Sequence, residues 1–331
     1  MMDEYAFSEC ENLCRKVFGQ DYTAINILKA SGSARKYFRV EIDLKNYVIC
    51  ISENIQENKT FLRLSEYLLN KGINVPRILG VSDDYRSYLL QDLGNRDFMT
   101  VLKTNQDSSS TWKDIDEIFS QLVKFQFLPE DEWERLVEFP PLDGELIKYD
   151  FRYCETNFIN VKTPGYDKEG IWKEFSRLEN RLLSYPRELW GLMYRDFQSR
   201  NIMMAPGPYF IDYQSSRRGP GLYDVVSFAW QARAGFSPEE RNRIIDIYIG
   251  KCNERGVECA SSVRENVTYW ALFRIIQTLG SYGLRGLKEG KPHFIESIPP
   301  ALSNALALME DYGIRDEFPV LHFVLEKLLC P

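Results

Sequence analysis

Histidine is almost missing from this chain. Two histidines in 331 residues, His293 and His322, give little support to a histidine metal centre or a serine–histidine hydrolase, because both chemistries need imidazoles at the reacting atoms. His293 reads as a surface residue. Cysteine gives no framework either: the seven cysteines are scattered, with Cys10 near Cys14 and Cys252 near Cys259. No C-x2-C zinc pattern occurs, and an odd count predicts reduced thiols and a cytoplasmic setting. Long apolar runs are absent, since no stretch reaches the roughly 20 residues of a membrane helix. The acidic opening MMDEYAFSEC does not read as a signal peptide. A net charge of −7 argues against nucleic acid as the main partner, because gripping a phosphate backbone takes a basic face. What remains is a chain with 44% apolar residues, enough for a substantial core. At about 150 residues per domain its length suggests two units.

The chemistry concentrates in MYRDFQSRNIMMAPGPYFIDYQSSRRGPGLYDVVSF, residues 193–228. Asp196 is followed by Asn201 and, at the end of the apolar run Tyr209–Ile211, by Asp212. Moving a phosphoryl group needs a carboxylate to take the acceptor's proton and hard oxygen ligands for magnesium, since its transition state is stabilised mainly by charge. Tyr194-Arg195-Asp196, four intervening residues and Asn201 keep the length of the kinase catalytic loop H-R-D-x-x-x-x-N, with tyrosine for histidine. The turn Ala205-Pro206-Gly207-Pro208 predicts a β-hairpin that returns Asp212 to Asn201. The bare triplet could also fall on a surface loop by chance. Its hairpin, Gly219-Pro220-Gly221 and Asp224 make that reading the weaker one.

The segments YRDFQSRN, FIDYQ and RRGPGLYDVVSF resemble the signature of the aminoglycoside phosphotransferase and choline kinase-like superfamily. Within it the sequence looks most like the bacterial kinases of N-acetylmuramate and N-acetylglucosamine that act on the anomeric hydroxyl. The resemblance covers most of the chain. It implies a protein kinase-like bilobal α+β fold, with a small β-sheet N-lobe at residues 1–93 and a helical C-lobe at 94–331. By position it implies Asp196 as base, Asn201 and Asp212 as magnesium ligands, and Asp224 as a carboxylate bracing the catalytic loop. ATP or another nucleoside triphosphate would be the donor, and the acceptor a small molecule, a sugar by preference.

The first third of the chain predicts a helix over 3–18, strands at 24–30, 37–42 and 47–51, a helix over 58–70 and strands at 78–81 and 87–90. Ser31–Lys36 is a small-residue turn that could cover phosphates through Gly32, Ser33, Arg35 and Lys36, or simply be an ordinary hairpin turn with a solvated basic pair. The resemblance favours the first, because Arg35–Arg39 matches a basic Tyr-Phe-Arg segment of the amino-sugar kinases. Kinases place a lysine in the third strand, where this chain has Cys50, read here as a buried thiol. The same branch looks lysine-poor there, and Arg35, Lys36 and Lys45 are candidates to compensate. Glu66 could pair a phosphate-binding cation or lie on a solvated face. Gln91, Asp92 and Leu93 would meet the adenine edge if this is the hinge, and otherwise form a plain strand-ending turn.

Beyond residue 98 the periodicity is helical. The aromatics Tyr149, Phe151, Tyr153, Phe158, Trp172 and Phe175 could stack on a sugar, although helical spacing makes core packing their default. Arg217 and Arg218 could bind an anionic acceptor group, such as a lactyl carboxylate, or pair with Asp224. Gln214 could reach the acceptor, and Arg195 reads as structural. Other small alcohols, including aminoglycosides and choline, stay open as acceptors. A nucleotide-binding pseudokinase is the reading from another class, motivated by Tyr194 and Cys50. The eleven residues Tyr213–Tyr223 are too few for the activation segment of a protein kinase.

Overall fold

The computed structural model describes residues 2–28, 35–105, 108–163 and 165–329, with side chains from Tyr5 onward. Backbone contacts group the chain into two compact units, Met1–Phe139 with Arg200–Ser216, and Pro140–Ser199 with Arg217–Pro331. This grouping does not follow the expected 1–93 and 94–331 lobes. The first unit takes in the helices after residue 94 and recovers a later hairpin.

The first unit is built on five antiparallel strands in the order β1-β2-β3-β5-β4. They are β1 (Ala24–Leu28), β2 (Lys36–Ile42), β3 (Lys45–Ile51), β4 (Ile78–Val81) and β5 (Ser87–Gln91). Helix α1 (Met2–Phe18) covers one face: Ala6, Cys10, Leu13 and Cys14, at helical spacing, pack against Phe38, Val40, Ile42, Ile49, Ile51 and Leu89. Each of the leucine, isoleucine, valine and phenylalanine side chains gains about 2 kcal/mol by leaving water. Strand residues two apart share a face, so Arg35, Tyr37 and Arg39 point away from α1. Cys50 and Tyr88 join them, because Tyr37 pairs with Cys50 and Cys50 with Tyr88.

Helix α2 (Ile55–Asn70), capped by Asn54 through the Glu57 N–H at 3.2 Å, meets that second face, where Phe61 stacks on Tyr88 at 5.1 Å. Helices α3 (Phe98–Asn105), α4 (Ser109–Gln126) and α5 (Glu130–Trp133) follow. The expected hairpin forms from β7 (Ile202–Met204) and β8 (Pro208–Phe210), with Ile202 opposite Phe210. It is tied to this unit by the Phe210 N–H on the Asn74 carbonyl and the Met204 N–H on that of Arg96, both 2.8 Å.

The second unit is mostly helical. Helix α6 (Gly144–Cys154) runs through a wider, π-type turn (Glu155–Ile159) into α7 (Asn160–Lys162), and α8 (Lys168–Leu183) follows. A two-stranded ribbon of β6 (Trp190–Met193) and β9 (Arg217–Pro220) leads into α9 (Gly221–Ala229). Then come α10 (Pro238–Glu254), α11 (Ala260–Tyr282) with a second π-type turn (Gly283–Lys288), α12 (Pro292–Ile295), α13 (Ile298–Asp311) and α14 (Pro319–Leu329). Helix α11 runs through the core, with Val263, Val267, Trp270, Phe273, Ile276 and Leu279 all buried. Phe151 stacks on Phe175 at 4.4 Å and meets Phe273 edge-on. Phe151, Phe158 and Phe175 are therefore core residues, unavailable to stack on a sugar. No helix among the described residues is long and apolar enough to cross a membrane.

Candidate active site

In the second unit the segment after β6 is held by its backbone. Asp224, fully buried in the first turn of α9, accepts the Tyr194 N–H on Oδ2 and the Arg195 N–H on Oδ1, each at 2.9 Å. Arg195 adopts φ 80°, a left-handed conformation that a non-glycine residue keeps only when its surroundings impose it. Its side chain supplies a second anchor, donating to Asp150 of α6 at 2.7 Å with both groups buried. Burial works against the Arg195 charge, but Tyr223 and Asp150 outweigh it and raise its pKa. Asp196 comes next in the chain, with its side chain 42% exposed. Arg274 of α11 approaches Asp196 Oδ1 at 3.3 Å. Arg217 lies in the same field, its pKa brought down to about 10 by burial and by the like charge of Arg195. Such a cation gains from an added negative group.

In the first unit the hairpin delivers its two polar ends to one place. Ile211 donates its N–H to the Asn201 carbonyl at 3.0 Å, and Asn201 Nδ2 lies 3.4 Å from Asp212 Oδ2. Gln214 Nε2 donates to Asp212 Oδ1 at 2.7 Å. Asp212 has φ 68°, and the next residue fixes that turn: Tyr213 stacks on Phe61 at 5.2 Å, its hydroxyl 2.5 Å from Ser65 Oγ. No group of three or more His, Cys, Asp or Glu side chains among the described residues is disposed to hold a metal. An amide and one carboxylate are instead a partial set of hard donors, the kind that suits magnesium, which keeps water and phosphate oxygens in its remaining positions.

The same unit holds the three candidate cations Arg35, Lys36 and Lys45. Arg35, the residue just before β2, is buried and pairs with Glu57 of α2 at 3.0 Å. Cys50, Tyr37 and Tyr88 lie within its field, and Asp212 acts electrostatically on the Tyr37 phenol. Cys50 is buried, which raises its thiol pKa. Lys36 takes the opposite face of β2, shared with Phe38 and Val40. Lys45 is exposed at the far end of β3, five residues from Cys50, about 16 Å at strand rise, too far to replace a charge there. Glu66 lies on an exposed face of α2, and the α2 glutamate beside Arg35 is Glu57.

At the β5 exit, Arg39 grips Asp92 at 2.6 Å and also donates to the Gly94 carbonyl and Asn95. The Gln91 N–H is given to the Arg77 carbonyl and the Gly94 N–H to Asp92. Asp92 thus acts through its side chain as the anchor of this turn. Gly32 and Ser33 lie outside the described residues.

A family model described as the phosphotransferase enzyme family matches residues 25–258. The chain belongs to this family. An N-acetylmuramate/N-acetylglucosamine kinase of Pseudomonas aeruginosa is 24% identical over 284 residues, 82% of this chain and 79% of that protein. One of Neisseria meningitidis serogroup B is 23% identical across 96% of this chain and 95% of its own length. The structure of an AMP-bound spectinomycin phosphotransferase superposes with a TM-score of 0.63 at 14% identity, over 91% of this chain and 98% of that one. The last likeness is one of fold, and the fold is that of the protein kinase-like phosphotransferases.

Arg274, Asp150, Glu57 and Arg39 are absent from the sequence-predicted site. Arg274 did leave a signal, because it interrupts the otherwise apolar run 270–276 of its helix, where a charge needs a partner. Arg39 and Glu57 left none, since their partners lie on other elements.

Proposed function

We propose that this protein is an ATP- and magnesium-dependent kinase that phosphorylates the anomeric hydroxyl of an amino sugar such as N-acetylmuramate or N-acetylglucosamine. The observation that carries the reading is the hairpin that sets Asn201 beside Asp212, in a chain whose relatives of near-equal length are named N-acetylmuramate/N-acetylglucosamine kinases. Asp196 takes the hydroxyl proton as the sugar oxygen attacks the γ-phosphorus, and ADP leaves with the electron pair of the broken P–O bond. Asn201 and Asp212 would hold magnesium, which supplies charge neutralisation on the phosphate oxygens. Arg35, oriented by Glu57, would face the phosphates in place of the strand lysine, next to the segment of Gly32 and Ser33. The backbone of Asp92 and Leu93 would read the adenine edge, with residues 1–93 acting as the nucleotide-covering lobe. Arg217 and Arg218 would receive an anionic substituent of the acceptor, and Gln214 would orient the acceptor or Asp212. A cytoplasmic setting follows, since ATP is the donor. The Arg35–Glu57 pair weakens one of the two motives for a pseudokinase, the missing lysine, and leaves the other, Tyr194 in place of histidine.

The test is ATP consumption by purified protein with magnesium against N-acetylmuramate, N-acetylglucosamine, other free sugars, aminoglycosides and choline. Amino-sugar-dependent turnover that drops to a small residual rate in Asp196→Asn is expected. Turnover with choline or an aminoglycoside alone would move the acceptor class, and no stimulated turnover despite ATP binding would defeat the kinase reading.

A further inference from the structure

Helix α11 carries one feature that the proposed chemistry leaves unused. Arg274 is a cation in an apolar core, its side chain only 4% exposed, and burying a charge is costly unless it is paired and hydrogen-bonded. Three groups meet it. Tyr223 Oη accepts from Nη1 at 2.8 Å, Gln277 Oε1 accepts from the same nitrogen, and Asp196 Oδ1 lies 3.3 Å from Nη2. The guanidinium also lies over the Tyr223 ring, 5.3 Å from its centre. Two of these three partners are neutral, and the carboxylate is that of Asp196, whose own side chain is 42% exposed. Arg195, a second buried arginine whose guanidinium lies 5.1 Å from the centre of the same Tyr223 ring, has a buried carboxylate of its own in Asp150. The second unit therefore builds two ion pairs around one tyrosine. One is closed within the core, and the other opens onto the proposed base.

We propose that Arg274 is a positioning residue for the phosphoryl transfer, held rigid by Tyr223 and Gln277 and fixing Asp196 through Oδ1 so that its carboxylate meets the acceptor hydroxyl in one orientation. This rests on the reading of Asp196 as the base. The planar guanidinium matters because its second nitrogen is already committed to Tyr223 and Gln277, so its plane is set before the carboxylate binds. A base displaced by about 1 Å can cost on the order of 10²-fold in rate. A residue that acts this way changes turnover more than substrate affinity.

The experiment compares Arg274→Ala, Arg274→Gln, Asp196→Asn and the Arg274→Gln/Asp196→Asn double variant, using ATP and the sugar that the wild type turns over best. The expected result is a fall in kcat of about 10²-fold for Arg274→Ala, with KM for both substrates within about threefold. Added guanidinium ion at millimolar concentration should restore Arg274→Ala at least tenfold with saturation. Arg274→Gln should lower kcat in the wild-type background and have no further effect on the residual rate of Asp196→Asn. Should Arg274→Ala fail to fold, judged by its thermal unfolding, Arg274→Gln and the double variant carry the test alone. A folded Arg274 variant with kcat within threefold of wild type overturns the inference, as does an equal loss in the Asp196→Asn background. High activity in Asp196→Asn itself is a separate outcome and overturns the base assignment instead.

Discussion

At the scale of single residues, the proposed chemistry asks for a cation near the phosphates where this chain carries no strand lysine. A guanidinium just before β2 pairs with Glu57 across the face where β3 offers only the Cys50 thiol. Pairing through a delocalised, always protonated group suits a buried site, because the charge survives desolvation that would neutralise a lysine. Arg35→Gln keeps much of the volume and removes the charge, so KM for ATP should rise at least tenfold while KM for the sugar stays within about twofold. Glu57→Gln should give a smaller change of the same kind. Steady-state kinetics with each substrate varied in turn decides this, and an unchanged KM for ATP in Arg35→Gln would return the phosphate-binding role to the segment of Gly32 and Ser33. Backbone strain sits beside the same chemistry. Arg195 and Asp212 both have positive φ, at a cost on the order of 1–3 kcal/mol each, and each is held down by a neighbour's buried contacts.

At the scale of elements, two helices approach closely where two π-type turns meet. A Cβ on Gly283 would lie 2.2 Å from the Asn157 carbonyl oxygen, inside any real contact, and one on Gly280 would lie 2.7 Å from the Tyr153 ring. Backbone from α6 and its wide turn passes against α11 there, and only glycine leaves room. Gly283→Ala should destabilise the protein by about 1–3 kcal/mol, whereas Gly250→Ala in α10, with nothing within 4 Å, should stabilise it by up to about 1 kcal/mol. Opposite shifts in urea midpoint are the expected outcome, and equal shifts would sink the close-approach argument. Elements were the most legible level in the sequence. The amphipathic spacing of α1, α2, α10 and α14 and the alternation in β2 each carry one period, which local side-chain chemistry dictates. The hairpin with Asn201 and Asp212 was legible for the same reason, being local in sequence. The β6–β9 ribbon was not, because its strands are short, buried on both faces and twenty-odd residues apart. The Arg35–Glu57 and Arg274–Asp196 pairs escaped likewise, since they join distant elements and leave no period.

At the scale of the whole molecule, burial of acidic hydrogens ties stability to alkaline pH. Every cysteine among the described residues is a buried free thiol. In α1, Cys10 is pushed up to about 12 and Cys14 to about 11, in both cases mainly by burial. Burial also raises the phenols of Tyr88, Tyr185, Tyr213 and Tyr248. In the unfolded chain a thiol ionises near pH 8.5–9 and a phenol near pH 10, and each pH unit by which folding delays that ionisation is worth ~1.4 kcal/mol. Between those values and the folded ones the native state holds more protons than the unfolded state, so stability falls as pH rises. The contribution is fully present below about pH 8.5 and is lost progressively above it, Cys14 up to about 11 and Cys10 up to about 12. Two thiols together give a slope of about 3 kcal/mol per pH unit between pH 9 and 11, with the tyrosines steepening it above pH 10. Urea midpoints measured from pH 7.5 to 11 should therefore fall steeply for the wild type and less steeply for Cys10→Ala/Cys14→Ala. That variant will be less stable at neutral pH, because it loses packing under the sheet, so the decisive quantity is the slope. Parallel slopes would mean that these thiols are reached by solvent before the chain unfolds, and that α1 detaches from the sheet as a separate step.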